Sequence, residues 1–126
     1  MGLLAGSALA APAPHGTVTV TTPGFPLICG RVTGLLKVTF PATARLPRTI
    51  PPSAVTVNGS RAAAVSIAKR AVTVTVPRKP GLTCMSIVLG KLTIAFAPRA
   101  HVVAGTARTA SVARASQTYA ARVAAF

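Results

Sequence analysis

Apolar residues recur at every second position through most of this chain. Thr17 to Thr21 reads TVTVT; Leu36, Val38 and Phe40 alternate with Lys37 and Thr39; Val72, Val74 and Val76 alternate with Thr73 and Thr75. A period of two sends successive side chains to opposite faces, so each run predicts a strand with one buried side. Pro41 and Pro77 stop the second and third runs, and proline cannot donate to a ladder. Ala54 to Val57 leads into Asn58-Gly59, the dipeptide that best fits a two-residue hairpin turn because both positions tolerate positive φ. Val65 and Ile67 follow, then a polar turn at Lys69-Arg70. Pro77 to Gly81, PRKPG, is a loop on composition alone.

Two more strands are expected around Gly90, one over Ile87 to Leu89 and one carrying Leu92, Ile94 and Phe96, with Pro98 ending the second. The last stretch can be drawn two ways. Residues 104–126 are rich in alanine, and a helix would carry Val112, Tyr119, Val123 and Phe126 on one side. They also alternate, Tyr119, Ala121 and Val123 against Thr118, Ala120 and Arg122. Two closing strands agree better with the β elements before them. The expected inner set is Val38, Phe40, Val55, Val57, Val72, Val74, Leu92, Ile94 and Phe96, with Lys37, Thr73, Thr75 and Thr93 facing out. About seven to nine short antiparallel strands, punctuated by turn residues, predict an all-β chain folded as a single β-sandwich.

The charge balance excludes several classes of function. The 126 residues carry 14 Lys and Arg and no Asp or Glu, for a formal charge of +14. Paired carboxylates for glycoside hydrolysis, an aspartic dyad and a Ser-His-Asp triad are therefore excluded. So are calcium or magnesium cages of side-chain carboxylates. The cations have no acidic side chain to pair with, so they sit in water or meet an external anion. Their spread, never more than two in a row, is unlike a basic tail. Arg45, Arg48, Arg78 and Lys79 are the candidate anion-binding residues. Aromatics for base stacking are few, with one Tyr, four Phe and no Trp, so any nucleic-acid contact would be electrostatic and without sequence preference.

Gly2 to Ala13, GLLAGSALAAPA, is apolar and small, and Ala8-Leu9-Ala10 fits the small-x-small pattern before a signal-peptide cleavage point, although no Lys or Arg precedes the run. Residues 1–14 are read as the end of a secretory signal or an Ala-rich leader, and 15–126 as the domain. At under 20 residues the leader is too short to span a bilayer, and Lys, Arg, Pro or Gly interrupts every other apolar run. Cys29 and Cys84 lie 55 positions apart with no CxxC spacing. In an oxidising compartment such a pair reads as a disulfide, worth about 4 kcal/mol through loop closure; buried thiols are the alternative. The expected location is extracytoplasmic, secreted or on the cell surface.

Other chemistry is thin. Ser66-Ile67-Ala68-Lys69 matches S-x-x-K, but the Ser-Lys acyl enzymes place that pair on a helix and need further motifs absent here. His15 and His101 add two zinc-ligand types to the cysteines without knuckle spacing; His15 is expected as a solvated linker residue and His101 as a loop residue. Asn58-Gly59-Ser60 is formally a glycosylation acceptor, better used as a turn. No catalytic residue, cofactor or metal is expected.

Val38-Thr39-Phe40-Pro41, Leu46-Pro47, Ile50 and Ser53-Ala54-Val55-Thr56-Val57-Asn58-Gly59 resemble an Ig-like β-sandwich module of prokaryotic secreted and cell-surface proteins. Val65-Ser66-Ile67, the Val72 to Pro77 strand and the Ala104-Gly105-Thr106 turn follow in the same order, so the resemblance covers roughly residues 35–112. It implies a non-enzymatic structural or adhesive role at the envelope. The alternative from charge is a cationic module that holds an anionic polymer such as wall polymer, polysaccharide or nucleic acid. Charge placement separates them: cations gathered on one face or edge favour the second.

Overall fold

A computed structural model describes residues 15–21, 28–29, 34–76, 84–85, 91–114 and 117–126. The strands are β1 (Gly16–Thr21), β2 (Ile28–Cys29), β3 (Leu35–Thr39), β4 (Val55–Val57), β5 (Ser60–Arg61), β6 (Ala64–Ala68), β7 (Ala71–Thr75), β8 (Cys84–Met85), β9 (Lys91–Phe96), β10 (Thr109–Arg114) and β11 (Gln117–Ala124). Nine of them form one antiparallel sheet in the order β5-β4-β9-β1-β11-β10-β3-β7-β6; β2 and β8 pair separately. The fold is all-β, as the alternation predicts. The alanine-rich end forms strands, with β10 and β11 paired from Thr109↔Arg122 to Arg114↔Gln117.

The register puts one face of every long strand into a common core. Val18, Val20, Leu36, Val38, Val55, Val72, Val74, Leu92, Ile94 and Phe96 are all 0% exposed, and Phe40 and Val57 1%. Lys37 is exposed, and Thr73, Thr75 and Thr93 are half-buried on the other face. The whole expected inner set is thus buried. Asn58 and Gly59 take φ of 48° and 85°, so the β4–β5 hairpin turns on two left-handed residues, the geometry that twisted strands favour. That turn withdraws the Asn58 carbonyl from the ladder, and the Asn58 side chain replaces it: Oδ1 accepts the Thr93 N–H at 2.9 Å.

Sheet closure depends on two alanines. The Ala62 N–H donates to the Val55 carbonyl at 2.9 Å, and the Ala63 N–H to the Thr75 carbonyl at 2.9 Å. Consecutive amides in extended chain point opposite ways, so this segment stitches β4 to β7 and joins the two ends of the strand order. Thr75 also stands opposite Ala64 in the β6–β7 register, so two residues face one. Such a bulge bends a strand and increases its twist. The sheet curls around its core and nearly closes.

One end of the core is plugged by aromatics. Phe126 lies edge-on to Phe40 with ring centres 6.0 Å apart and is tilted against Phe96 at 5.5 Å. His15, expected as a solvated linker residue, instead meets Phe126 edge-on at 5.7 Å and donates its backbone N–H to the Phe96 carbonyl at 2.6 Å. It therefore belongs to the fold. The expected strand over Ile87 to Leu89 and the Pro77 to Gly81 loop lie outside the described residues.

Candidate functional site

The register fixes what the outer face presents. Thr19 and Thr21 project outward from β1, the strand between β9 and β11. Lys91 stands opposite Thr21 on β9, and Arg122 stands opposite Thr19 on β11. Adjacent strands are about 4.8 Å apart and rise about 3.4 Å per residue, which separates the Lys91 and Arg122 backbones by about 12 Å. Two long cationic side chains span that gap with ease. Ala120, the next outward residue on β11, carries only a methyl group and leaves the floor low. The result is an open groove of about 580 Å³ lined by Thr19, Thr21, Lys91, Ala120 and Arg122. With cations on both banks and hydroxyls between, it suits a sulfate, phosphate or carboxylate.

A second cationic region follows from topology. The register pairs Thr39 with both Ala71 and Ser111, and Thr109 with Arg122. Chain leaving β3 and β9 therefore emerges at the same end as chain entering β7 and β10. Arg45, Arg48, Lys69, Arg70, Arg99 and Arg108, six of the cations in the described residues, all lie at that end. The two loops are tied together: Arg45 N–H donates to the Val103 carbonyl at 2.6 Å, and Val103 N–H returns the bond to Arg45 at 3.0 Å. Arg99 is already engaged, since its Nη2 donates to the Ser53 carbonyl at 2.7 Å.

Of the candidate anion-binding residues, Arg45 and Arg48 are exposed in this loop end, while Arg78 and Lys79 lie outside the described residues. The structure does not bring Arg45 and Arg48 to the groove, which opens toward the opposite end of β1. Lys91 and Arg122 escaped sequence reasoning because each is a lone cation on its own strand. Their outward parity was readable, but their convergence over β1 needs the long-range pairing.

Arg114 adds a further cation with an unmet need. Its Nε is the one buried side-chain nitrogen or oxygen among the described residues with no hydrogen-bond partner, a costly state for a charged group. Nearby on β11 the Tyr119 hydroxyl donates to Gln117 Oε1. Ser66 lies on β6 and Lys69 in the turn after it, an arrangement unlike the helical Ser-Lys pair of acyl enzymes. Among the described residues no group of three or more His, Cys, Asp or Glu could hold a metal ion. No described helix is long and apolar enough to cross a membrane.

The β2–β8 register pairs Cys29 directly with Cys84; their side chains lie outside the described residues. The resemblance to Ig-like modules rests on the residues quoted for it alone. No family model, no curated protein and no solved structure matches this chain.

Proposed function

We propose that this is a non-enzymatic, exported structural or adhesive module of the cell envelope, and that its adhesion is electrostatic, through an anionic polymer laid over the outer face of the sheet. The observation that carries this reading is the placement of Lys91 and Arg122 on either side of Thr19 and Thr21, in a groove without a carboxylate. The cations gathered at the loop end extend the attractive surface, and such clustering favours polymer binding over a passive spacer. Export is supported by the leader and by the Cys29↔Cys84 register, which suits a bridge across an antiparallel pair. An Ig-like relationship supports the same role from sequence.

The binding test is a salt titration against heparin and against duplex DNA. Affinity should be weak, without sequence preference, and should fall with salt as counterions are released. Replacing Lys91 and Arg122 together by Ala should flatten the slope of log K against log salt by about 2. The Arg45→Ala, Arg48→Ala pair should change it less. Affinity indifferent to salt, or unchanged in the Lys91/Arg122 variant, would overturn the groove. Export and the disulfide are tested on native protein: a Cys29–Cys84 cross-linked peptide from the envelope or medium is expected, and cytosolic protein with both thiols alkylatable would defeat the reading.

A further inference from the structure

The stitch at Ala62 and Ala63 leaves one stretch of sheet edge unpaired among the described residues. In the β3–β7 ladder, Val76 N–H donates to Gly34 and Phe40 N–H to the Arg70 carbonyl, so even-numbered residues of β7 bond toward β3. Odd-numbered β7 residues therefore bond toward β6, where Ala71, Thr73 and Thr75 face Ala68, Ser66 and Ala64. The amide and carbonyl groups of Val65 and Ile67 are left pointing away from the sheet. β6 ends the strand order, and among the described residues no backbone bond reaches Val65 or Ile67 from elsewhere. Natural sheets guard such edges with proline, inward charge or very short strands. The opposite end has those guards, since β5 is two residues long and carries Arg61. β6 has five residues, AVSIA, with neither proline nor charge, and its outward side chains are only Ala64, Ser66 and Ala68.

We infer that β6 is a docking edge for an extended acidic peptide, which adds as a strand through the free groups of Val65 and Ile67. Charge selects the occupant. Arg61 precedes this edge and Lys69 and Arg70 follow it, all exposed, and the chain offers no acidic side chain in return. A second copy fits poorly: antiparallel β6–β6 pairing centred on Ser66 would set Arg61 of each copy beside Arg70 of the other. A strand bearing Glu or Asp near its ends makes the same backbone bonds and relieves that repulsion. This surface is separate from the outer-face groove and does not rest on the polymer reading.

The probe is a capped octapeptide of alternating Val and Glu, titrated into the full chain with amide hydrogen exchange as the readout. Slowed exchange at Val65 and Ile67 is expected. Methylating the peptide nitrogens that would face β6 should weaken binding by about tenfold or more, the equivalent of roughly one lost backbone bond. Ile67→Pro removes an outward donor without touching the β6–β7 ladder, so it should keep the fold and lose the peptide. If that variant fails to fold, the methylated peptide still decides. The Lys91→Ala, Arg122→Ala variant should bind the peptide as the parent does. Protection elsewhere, equal affinity for the methylated peptide, or dimerisation through β6 in the absence of peptide would each overturn the inference.

Discussion

Replacing Gly16 by Ala tests how the aromatic plug is built. A Cβ at position 16 would stand 2.5 Å from Cγ of Phe126 and 2.6 Å from both of its Cδ atoms. Carbon atoms in contact prefer about 3.5–4.0 Å, so the ring must retreat by roughly 1 Å. Its freedom to do so is small, because the Phe40, Phe96 and His15 rings surround it, and Ala125 just before it holds a left-handed φ of 62°. Each aromatic pair is worth about 0.5–1.5 kcal/mol, and forcing extra volume into a packed site costs about 1–3 kcal/mol. Against this, Ala lowers the entropy of the unfolded chain, a gain of about 0.4–1 kcal/mol where the backbone allows it. The φ at Gly16 is not in the left-handed region, so that gain applies. The net expectation is a loss of about 1–2 kcal/mol.

Urea unfolding of four proteins measures it: the parent, Gly16→Ala, Phe126→Ala and the double variant. Removing the ring removes the clash, so in the Phe126→Ala background Gly16→Ala should become neutral or slightly stabilising. The coupling should exceed about 1 kcal/mol, well above the scatter of roughly 0.3–0.5 kcal/mol for independent sites. Additive effects, or a parent stabilised by Gly16→Ala, would refute a plug seated on Gly16.

Substitutions at three other positions probe separate joints. Gly105 has φ of 63°, and an added Cβ would meet the Thr43 carbonyl oxygen at 2.7 Å, so Gly105→Ala should cost about 2 kcal/mol or more in thermal unfolding through strain and clash. Asn58→Ala leaves the Thr93 N–H without its side-chain acceptor and puts a Cβ-bearing residue of lower αL tolerance in the turn; about 1–2 kcal/mol should be lost, while Asn58→Gly should lose less. Val74 is 0% exposed, and Val74→Ala should cost about 2 kcal/mol by lost transfer energy and a cavity; an unchanged denaturation midpoint would contradict the strand register.

The inner face was legible because valine and threonine alternate without interruption. Val72, Val74 and Val76 went in and Thr73 and Thr75 out, and a slip of one residue would have inverted all five. Partner choice was not legible. Nothing local to TVTVT says that β1 lies between β9 and β11, since that depends on pairings some 70 to 100 residues away. The same ignorance hid Lys91 and Arg122 as neighbours. The alanine-rich end was ambiguous for a physical reason: a methyl group fits a helix surface and a crowded sheet face equally well. Pairing with β1 and β3 decides it, burying Ala110, Val112, Ala121 and Val123. His15 misled because its partner, Phe126, stands at the far end of the sequence.

The absence of acidic side chains has a consequence for stability that the charge count conceals. Acid unfolds most domains because carboxylates that are paired or hydrogen-bonded when folded must take up protons. The slope of stability with pH follows the difference in protons bound by the unfolded and folded states. Here no side chain has an ordinary pKa between about 2 and 5, so over that range the difference contributed by side chains is zero. Acidification through that window removes no side-chain charge either; the group that titrates there is the α-carboxylate, with an ordinary pKa of about 3.3–3.7, so self-repulsion grows by at most one charge. What repulsion exists is set by salt, acting over about 8 Å at physiological strength. The melting temperature should therefore shift little from pH 5 to pH 2 at constant ionic strength, by no more than one carboxylate can contribute, and should rise with salt at either pH. Calorimetry in glycine and acetate buffers of matched ionic strength measures both trends. A large cooperative loss of structure near pH 4 would mean that a bound carboxylate partner, not the chain itself, had been stabilising the protein.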